Sequence, residues 1–115
     1  MASYNQVILM GYVGKDPEVK GQNGAMVTLT LATTENGYTA KNGTEVPDTT
    51  YWHNLVTFGN IANVCRQYVR KGSFIHVTGR IHPRSYTDNG GVGRMVTEIV
   101  VDDLRLLDRR SDSGR

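Results

Sequence analysis

The stretch Thr49–Asn60, TTYWHNLVTFGN, has the composition of a β-strand and holds the chain's single tryptophan and one of its two phenylalanines. Successive residues of a strand point to opposite faces, which divides the stretch into two sets: Trp52, Asn54, Val56 and Phe58 against Tyr51, His53, Leu55 and Thr57. Both sets are partly apolar. Either both faces are therefore buried, or one face presents aromatic rings to a molecule outside the chain.

The length and composition around this strand indicate one globular domain. A chain of 115 residues with 38% hydrophobic and 21% charged residues has room for one core. It contains no apolar run long enough to cross a bilayer, and its N-terminus lacks the basic region and cleavage site of a signal peptide. A cytoplasmic location is therefore expected, with no membrane partner. Cys65 is the only cysteine, so we expect it to pack in the core rather than to form a disulfide or bind a metal.

The hydrophobic periodicity predicts five strands and one helix. The strands are residues 5–13, 26–34, the opening stretch, 73–84 and 95–101. Residues 60–71 change to helical spacing, with an apolar stripe of Ile61, Val64, Cys65 and Tyr68, a cap at Asn60 and a C-cap at Gly72. Two Asn-Gly pairs in the long connection after the second strand favour tight turns. We expect the domain to span residues 1–108 and residues 109–115 to form a short polar tail.

This order of elements predicts the fold class. Five strands with one α-helix between strands 3 and 4 is the order of an all-β OB-fold barrel, although small α+β domains can share it. An OB-fold binds nucleic acids or sugars around its second and third strands and in the flanking loops. The fold alone does not decide the function.

No arrangement of residues indicates catalysis or metal binding. His76 and His82 lie six residues apart on one strand face, roughly 20 Å at about 3.3 Å per residue, which is too far to share an ion. The chain lacks a His-Glu-x-x-His helix, a phosphate loop ending in Lys-Ser/Thr and a Gly-x-Ser-x-Gly turn. The sequence therefore predicts a binding module rather than an enzyme, without a metal or a cofactor.

The charge distribution allows two interpretations. The formal net charge is only +2, but one segment is basic and contains a single acid, Asp88. Its basic residues are Arg66, Arg70, Lys71, Arg80, Arg84 and Arg94. The segment is either a solvated surface or the electrostatic footprint of a polyanion.

Aromatic rings beside cations are typical of proteins that bind single-stranded nucleic acid, because bases stack on rings while cations follow the phosphates. The candidate stacking residues are Trp52, Phe58, Tyr86 and Tyr38. The candidate cations are Lys41, Lys71, Arg80, Arg84 and Arg94. The pattern alone fits equally well with Trp52 and Phe58 closing the ends of the barrel.

The chain resembles the DNA-binding domain of bacterial single-stranded DNA-binding proteins over nearly its whole length. The resemblance lies in VILMGYVGKDPEV (Val7–Val19), TLTLATTE (Thr28–Glu35), YWHNLVTFGNIANVCRQYVRKGS (Tyr51–Ser73), VTGRI (Val77–Ile81) and the motifs YTDNGG and TEIVV. It implies an OB-fold homotetramer that wraps single-stranded DNA without catalysis in replication, recombination and repair, associated with the nucleoid. It also implies that Trp52, Phe58 and Tyr86 stack on bases and that His53 lies at a subunit contact.

Two departures from the family pattern limit what the resemblance implies. The family usually has another tryptophan where this chain has Gly37 followed by Tyr38, so stacking there should be weaker or displaced. The family's long tail with an acidic, hydrophobic tip is absent, and the sequence stops at Arg115. We therefore expect that partners recruited through that tip do not bind this chain.

The first strand carries more apolar side chains than one barrel interior can bury. Val7 and Leu9 point one way, while Ile8 and Met10 point the other. We expect the surplus face to form a subunit contact, with two first strands pairing edge to edge across a two-fold axis and His53 near a contact. An alternative function is an OB-fold assembly subunit similar to the small primosomal restart protein, whose relatives form dimers, and an enzyme is a more distant third.

Overall fold

The computed structural model describes residues 3–21 and 25–107. These residues form eight strands and one helix: β1 (Val7–Val13), β2 (Glu18–Lys20), β3 (Met26–Glu35), β4 (Tyr38–Thr39), β5 (Glu45–Val46), β6 (Thr49–Phe58), α1 (Gly59–Tyr68), β7 (Phe74–Thr87) and β8 (Gly93–Leu106). No helix among them is long and apolar enough to cross a membrane. The predicted domain boundary at residue 108 and the predicted tail, residues 109–115, lie outside the described residues.

Five of the strands close into a barrel. Their order is β1-β7-β8-β6-β3, and β1 pairs again with β3 through Tyr12↔Ala32 and Val13↔Leu31. Gly11 permits this closure, because a side chain there would overlap the carbonyl oxygen of Ala32. The short β2 adds to the sheet beside β3. The prediction of a five-stranded OB-fold barrel with a helix between its third and fourth strands is confirmed.

The alternating pattern of the strands decides which side chains fill the barrel. One face of each barrel strand is buried, and the interior is aliphatic apart from Thr57 and Cys65. The largest fully buried side chains include Leu31, Leu55 and Ile75. Thr57 donates a hydrogen bond of 2.8 Å to the carbonyl of Val27, so its buried hydroxyl is satisfied.

The helix differs in its details from the prediction of residues 60–71. It begins at Gly59 after Phe58, which occupies the N-cap position without a side-chain cap, so Asn60 does not cap it. Ala62 and Cys65 are buried, and burial raises the pKa of the Cys65 thiol, partly offset by a hydrogen bond with Thr57.

The end of the helix explains why Tyr68 is exposed although the periodicity places it on the buried stripe. The backbone becomes extended at Val69, whose side chain is fully buried. Val69 therefore fills the place in the core that the prediction gave to Tyr68. The guanidinium of Arg70 donates to the carbonyls of Arg66 and Val69, so it satisfies oxygens that the helix end leaves open. Gly72 lies beyond the helix and donates its N–H to Val13.

The β7 and β8 strands are longer than predicted and extend from the barrel as a two-stranded arm, residues 80–99. At the base of the arm, Glu98 and Ile99 still pair with β6, and Ile99 belongs to the core. Buried positions alternate along β7 only as far as Gly79, and every later residue of the strand is exposed. Ile81 was expected to face inward, but it is exposed because β7 has passed the end of the barrel. Asn5 pairs with the backbone of Ile81 through two side-chain hydrogen bonds of 2.9 Å.

The long connection between β3 and β6 contains the small β4–β5 hairpin. Its turn is formed at the second of the two Asn-Gly pairs, where Gly43 has a φ of 88°. At the first pair, the N–H of Gly37 donates to the carboxylate of Asp48 at 2.6 Å. Only one of the two pairs therefore forms a tight turn.

Candidate nucleic-acid interface

A groove runs across the outer face of β3, β6, β7 and β8. It consists of two adjoining clefts of about 230 and 460 Å³. Both clefts are lined by Lys20, Thr28, Val56, Arg84 and Glu98. The floor is formed by outward-facing side chains of β3 and β6, and the walls are formed by β2 and by the arm. We call these two clefts together the groove.

The two aromatic side chains of β6 point away from the barrel interior. Trp52 is 60% exposed and Phe58 is 51% exposed, while the core is filled without them. They lie six residues apart on one strand face, roughly 20 Å at about 3.3 Å per residue. Phe58 lines the larger cleft beside Met26. Two exposed rings on one strand can therefore receive bases at separate points along a strand of nucleic acid.

The position of Trp52 depends on Gly14, which follows directly after β1. A side chain at Gly14 would overlap the indole ring, and the hydroxyl of Thr30 lies next to the same position. The N–H of Gly14 donates to the carbonyl of Thr30 at 2.9 Å, which holds the two backbones together. Sequence reasoning missed this role because nothing in the spacing of Gly14 and Trp52 indicates that they touch.

The arginines of the arm are paired with carboxylates. The guanidinium of Arg84 donates two hydrogen bonds, of 3.2 and 3.1 Å, to the carboxylate of Glu98. These bonds and the charge of Glu98 raise the pKa of Arg84 above its usual value. Arg84 also lies 5.7 Å from the centre of the Tyr86 ring, within the range of a cation–π contact.

Arg80 and Arg94 have carboxylate partners too. Arg80 lies 3.3 Å from Asp102, and Arg94 lies 2.8 Å from Asp88. Three of the six cations of the basic segment thus have carboxylate partners, because the pairing of β7 with β8 brings Glu98 and Asp102 beside Arg84 and Arg80. Of these arginines, only Arg84 lines the groove.

Five other predicted residues do not line the groove: Trp52, which lies farther along the same face of β6, Tyr86 on the arm, and Tyr38, Lys41 and Lys71. Tyr38 is exposed on β4, and Lys41 lies in the turn that follows. Lys71 follows the helix, and its backbone N–H donates to Asp16 at 2.8 Å. The side chains of Lys41 and Lys71 form no ion pair with a described residue. Instead, the groove contains two lysines that sequence reasoning missed, Lys15 and Lys20.

The two missed lysines had a signal in the sequence. They flank an acid in the loop GKDPEVK, and each lies within ion-pair distance of Glu18, at 3.8 and 3.6 Å. Their side chains are more than half exposed, so these ion pairs are weak. The loop was predicted only as an interruption between strands, because the short β2 that orients Lys20 was not recognised.

The predicted subunit-contact residues divide into two groups. Ile8 and Met10 are exposed, whereas Val7 and Leu9 are half-buried against the core. His53 shares a hydrogen bond of 2.8 Å with the hydroxyl of Thr33. One edge of β1 is paired with β7, while its other edge meets β3 only at Tyr12 and Val13. Among the described residues, nothing pairs with the second edge of residues 7–11. We call this the open edge of β1.

The groove is suited to bind a polyanion that also carries flat apolar rings. It combines one exposed ring, Phe58, with cations and hydrogen-bonding floor residues such as Thr28 and Asn54, and the exposed ring of Trp52 lies on the same face of β6. Within residues 3–21 and 25–107, no group of three or more His, Cys, Asp or Glu side chains is placed to hold a metal ion.

Comparison with known proteins adds to this geometry. Residues 4–107 match the model of the single-strand binding protein family. A single-stranded DNA-binding protein of Bacteroides thetaiotaomicron is 46% identical over 107 residues, covering 91% of this chain and 66% of that protein. The chain thus spans slightly less than two thirds of this relative's length.

A solved structure shows the same architecture. The Plasmodium falciparum SSB in complex with single-stranded DNA is similar with a TM-score of 0.83 and 34% identity, covering 94% of this chain and 98% of that chain. Because the family match extends over nearly all of the described residues, the chain belongs to the single-strand binding protein family.

Proposed function

We propose that this chain binds single-stranded DNA without regard to sequence and without catalysis. Bases stack on exposed rings, chiefly Trp52 and Phe58, and phosphates are neutralised by cations in and around the groove. The observation that supports this proposal most strongly is the exposure of both rings on one face of an OB-fold barrel whose core is complete without them. Arg84, the only arginine that lines the described groove, is held by the carboxylate of Glu98, which favours binding without sequence preference.

The energies involved are sufficient for useful affinity. Each base stacked on an aromatic side chain contributes roughly 1–3 kcal/mol, so two or three rings and a few phosphate contacts bring the affinity into a functional range. Tyr86, at the arm, and Tyr38, on the β4–β5 hairpin, extend the candidate stacking surface beyond the groove. Lys41, Lys71, Arg80 and Arg94 are proposed to meet phosphates outside the groove.

The relatives support the same proposal. The Plasmodium structure contains single-stranded DNA, and the Bacteroides protein is a single-stranded DNA-binding protein. We further propose that this chain protects single-stranded DNA during replication, recombination and repair. We expect it to do so in the cytoplasm, in association with the nucleoid.

The open edge of β1 supports assembly into an oligomer. Its residues 7–11 have no strand partner on one side within the described part of the chain, and they expose Ile8 and Met10. An edge of this kind pairs readily with a second copy. A two-fold axis through paired β1 strands gives a dimer, and a second contact near His53 gives the tetramer that the family resemblance implies.

Trp52 provides a direct test, because it is the only tryptophan and so the only source of indole fluorescence. Oligothymidylate should strongly quench this fluorescence, since a stacked base contacts the indole, and duplex DNA of equal length should quench it far less. Unchanged fluorescence in the presence of excess oligothymidylate would contradict the stacking role.

A matched pair of variants separates the groove face from the rest of the surface. Trp52 and Tyr68 are each 60% exposed, but Tyr68 lies on α1. We expect Trp52→Ala to weaken binding of a dye-labelled oligothymidylate by about 1–3 kcal/mol, the contribution of one stacked base. Tyr68→Ala should leave the affinity unchanged in the same anisotropy titration. Equal effects of the two variants would show that the groove face is not the binding face.

A further inference from the structure

Glu98 is an acid at the centre of a groove that the proposed function assigns to a polyanion. It lines both clefts, and its side chain is only 17% exposed. Asp102 and Asp88, the other carboxylates paired with arm arginines, line neither cleft. Glu18 lines only the smaller cleft, so Glu98 is the one acid that a bound phosphate would meet in both clefts.

The partner of Glu98 is Arg84, the one arginine that lines both clefts of the groove. Glu98 accepts hydrogen bonds from both Nε and Nη2 of Arg84, which is the fork geometry that a phosphate would also use. A guanidinium held in this way presents little net charge to a third group. A phosphate entering the groove must then share Arg84 with Glu98 or displace it.

The surroundings of Glu98 do not remove this competition. His82 lies directly opposite on β7, and Asn54 is its partner in the parallel pairing with β6. Lys20 lines the same clefts but forms an ion pair with Glu18. Arg84 is thus the only described cation within salt-bridge distance of Glu98.

We propose that Glu98 limits the affinity for single-stranded DNA, because it occupies on Arg84 the position of a phosphate. The inference rests on the proposed function. Glu98 acts as a built-in competitor: DNA binds more weakly and leaves more readily than the groove would otherwise allow. Removing its charge while keeping its shape should therefore strengthen binding.

The test is the isosteric variant Glu98→Gln, with Asp102→Asn as a matched control. Both substitutions raise the net charge by one and both free an arginine of the arm, but only Glu98 lines the groove. We expect Glu98→Gln to increase the affinity for oligothymidylate about two- to fivefold at low salt, the range that corresponds to a partly exposed ion pair. Asp102→Asn should produce a clearly smaller increase, because the arginine that it frees, Arg80, does not line the groove and is proposed to meet phosphates only outside it.

The salt dependence of the affinity for oligothymidylate is a second measurement. It should not change if the role of Glu98 is purely structural. A phosphate that meets Arg84 without a competing carboxylate releases additional counterions. The slope of log K against log salt should therefore become more negative by about 0.7 in Glu98→Gln, the value for one phosphate contact on a single strand. In the Arg84→Ala background, Glu98→Gln should change neither the affinity nor the slope by a comparable amount.

The outcomes are distinguishable. If the unmodified protein does not bind oligothymidylate, the proposed function fails. If it binds, but Glu98→Gln weakens binding or only equals Asp102→Asn, then Glu98 positions Arg84 or contributes general charge, and the inference is overturned. An effect of Glu98→Gln that persists undiminished without Arg84 would also overturn it.

Discussion

At the scale of single residues, the groove face depends on a contact between a glycine and a tryptophan. The indole of Trp52 lies where a side chain of residue 14 would be, so the absence of one at Gly14 decides where the ring rests. The clash would involve the movable ring and, less severely, the hydroxyl of Thr30, and not the barrel core. A change at Gly14 should therefore affect binding more than folding.

Gly14→Ala tests this dependence. We expect the variant to keep its fold but to displace the indole, with a shift in its fluorescence emission and a loss of oligothymidylate affinity approaching that of one stacked base, about 1–3 kcal/mol. Gly93→Ala is the matched control, because a side chain there would meet no atom within 4 Å and should change neither property. Normal affinity in Gly14→Ala would show that the ring position is not needed for binding.

At the scale of elements, the arm ends in a turn that is organised by one carboxylate. Asp88 accepts the N–H groups of Gly90 and Val92 on one oxygen, at 3.0 and 2.9 Å, and the guanidinium of Arg94 on the other. The hydrogen bond from Arg94, followed by those from the backbone, lowers the pKa of Asp88. The charged form of Asp88 is therefore the form that stabilises the turn.

Acid should loosen this turn. Because the folded pKa of Asp88 is depressed, its stabilising contribution is fully present above the ordinary aspartate value of about 3.9 and is lost as the pH falls through the lower, folded value. At neutral pH, Asp88→Ala should speed hydrogen exchange at the amides of Gly90 and Val92 with little effect on the barrel.

A second variant separates the two oxygens of Asp88. Asp88→Asn keeps an acceptor for the backbone amides but loses the ion pair with Arg94, so it should retain more amide protection than Asp88→Ala. Exchange that is equally slow in the unmodified protein and in Asp88→Ala would contradict the role of this side chain.

At the scale of the whole molecule, the open edge of β1 and its exposed apolar face predict association. Met10→Lys should lower the molar mass in sizing with light scattering, because a charge would be buried between paired β1 strands. Val19→Lys is the matched control, since Val19 and Met10 are each 54% exposed but Val19 lies on β2, and its mass should be unchanged. A monomer at micromolar concentration without any substitution would contradict the proposed assembly.

Much of the fold follows from the sequence because periodicity reports which face of an element is buried. Alternation in MVTLTLATT and the composition of TTYWHNLVTFGN indicate strands, and the change of period after Phe58 indicates a helix. In the part of β7 that extends beyond the barrel, alternation no longer reports burial. Ile81 continues the inward alternation of β7 but is exposed, since the sequence pattern does not show where the other strands stop covering it.

The sequence by itself determined the five strands, the place of the helix and the face of β6 that carries Trp52 and Phe58, because these depend on local periodicity and composition. Only the tertiary structure decided the partners: Glu98 for Arg84, Asp102 for Arg80 and Gly14 for Trp52. These contacts join residues 14 to 38 positions apart, and they depend on strand register and barrel closure. The groove's charge balance is therefore a property of the pairing of β7 with β8, which no count of charges along the chain could supply.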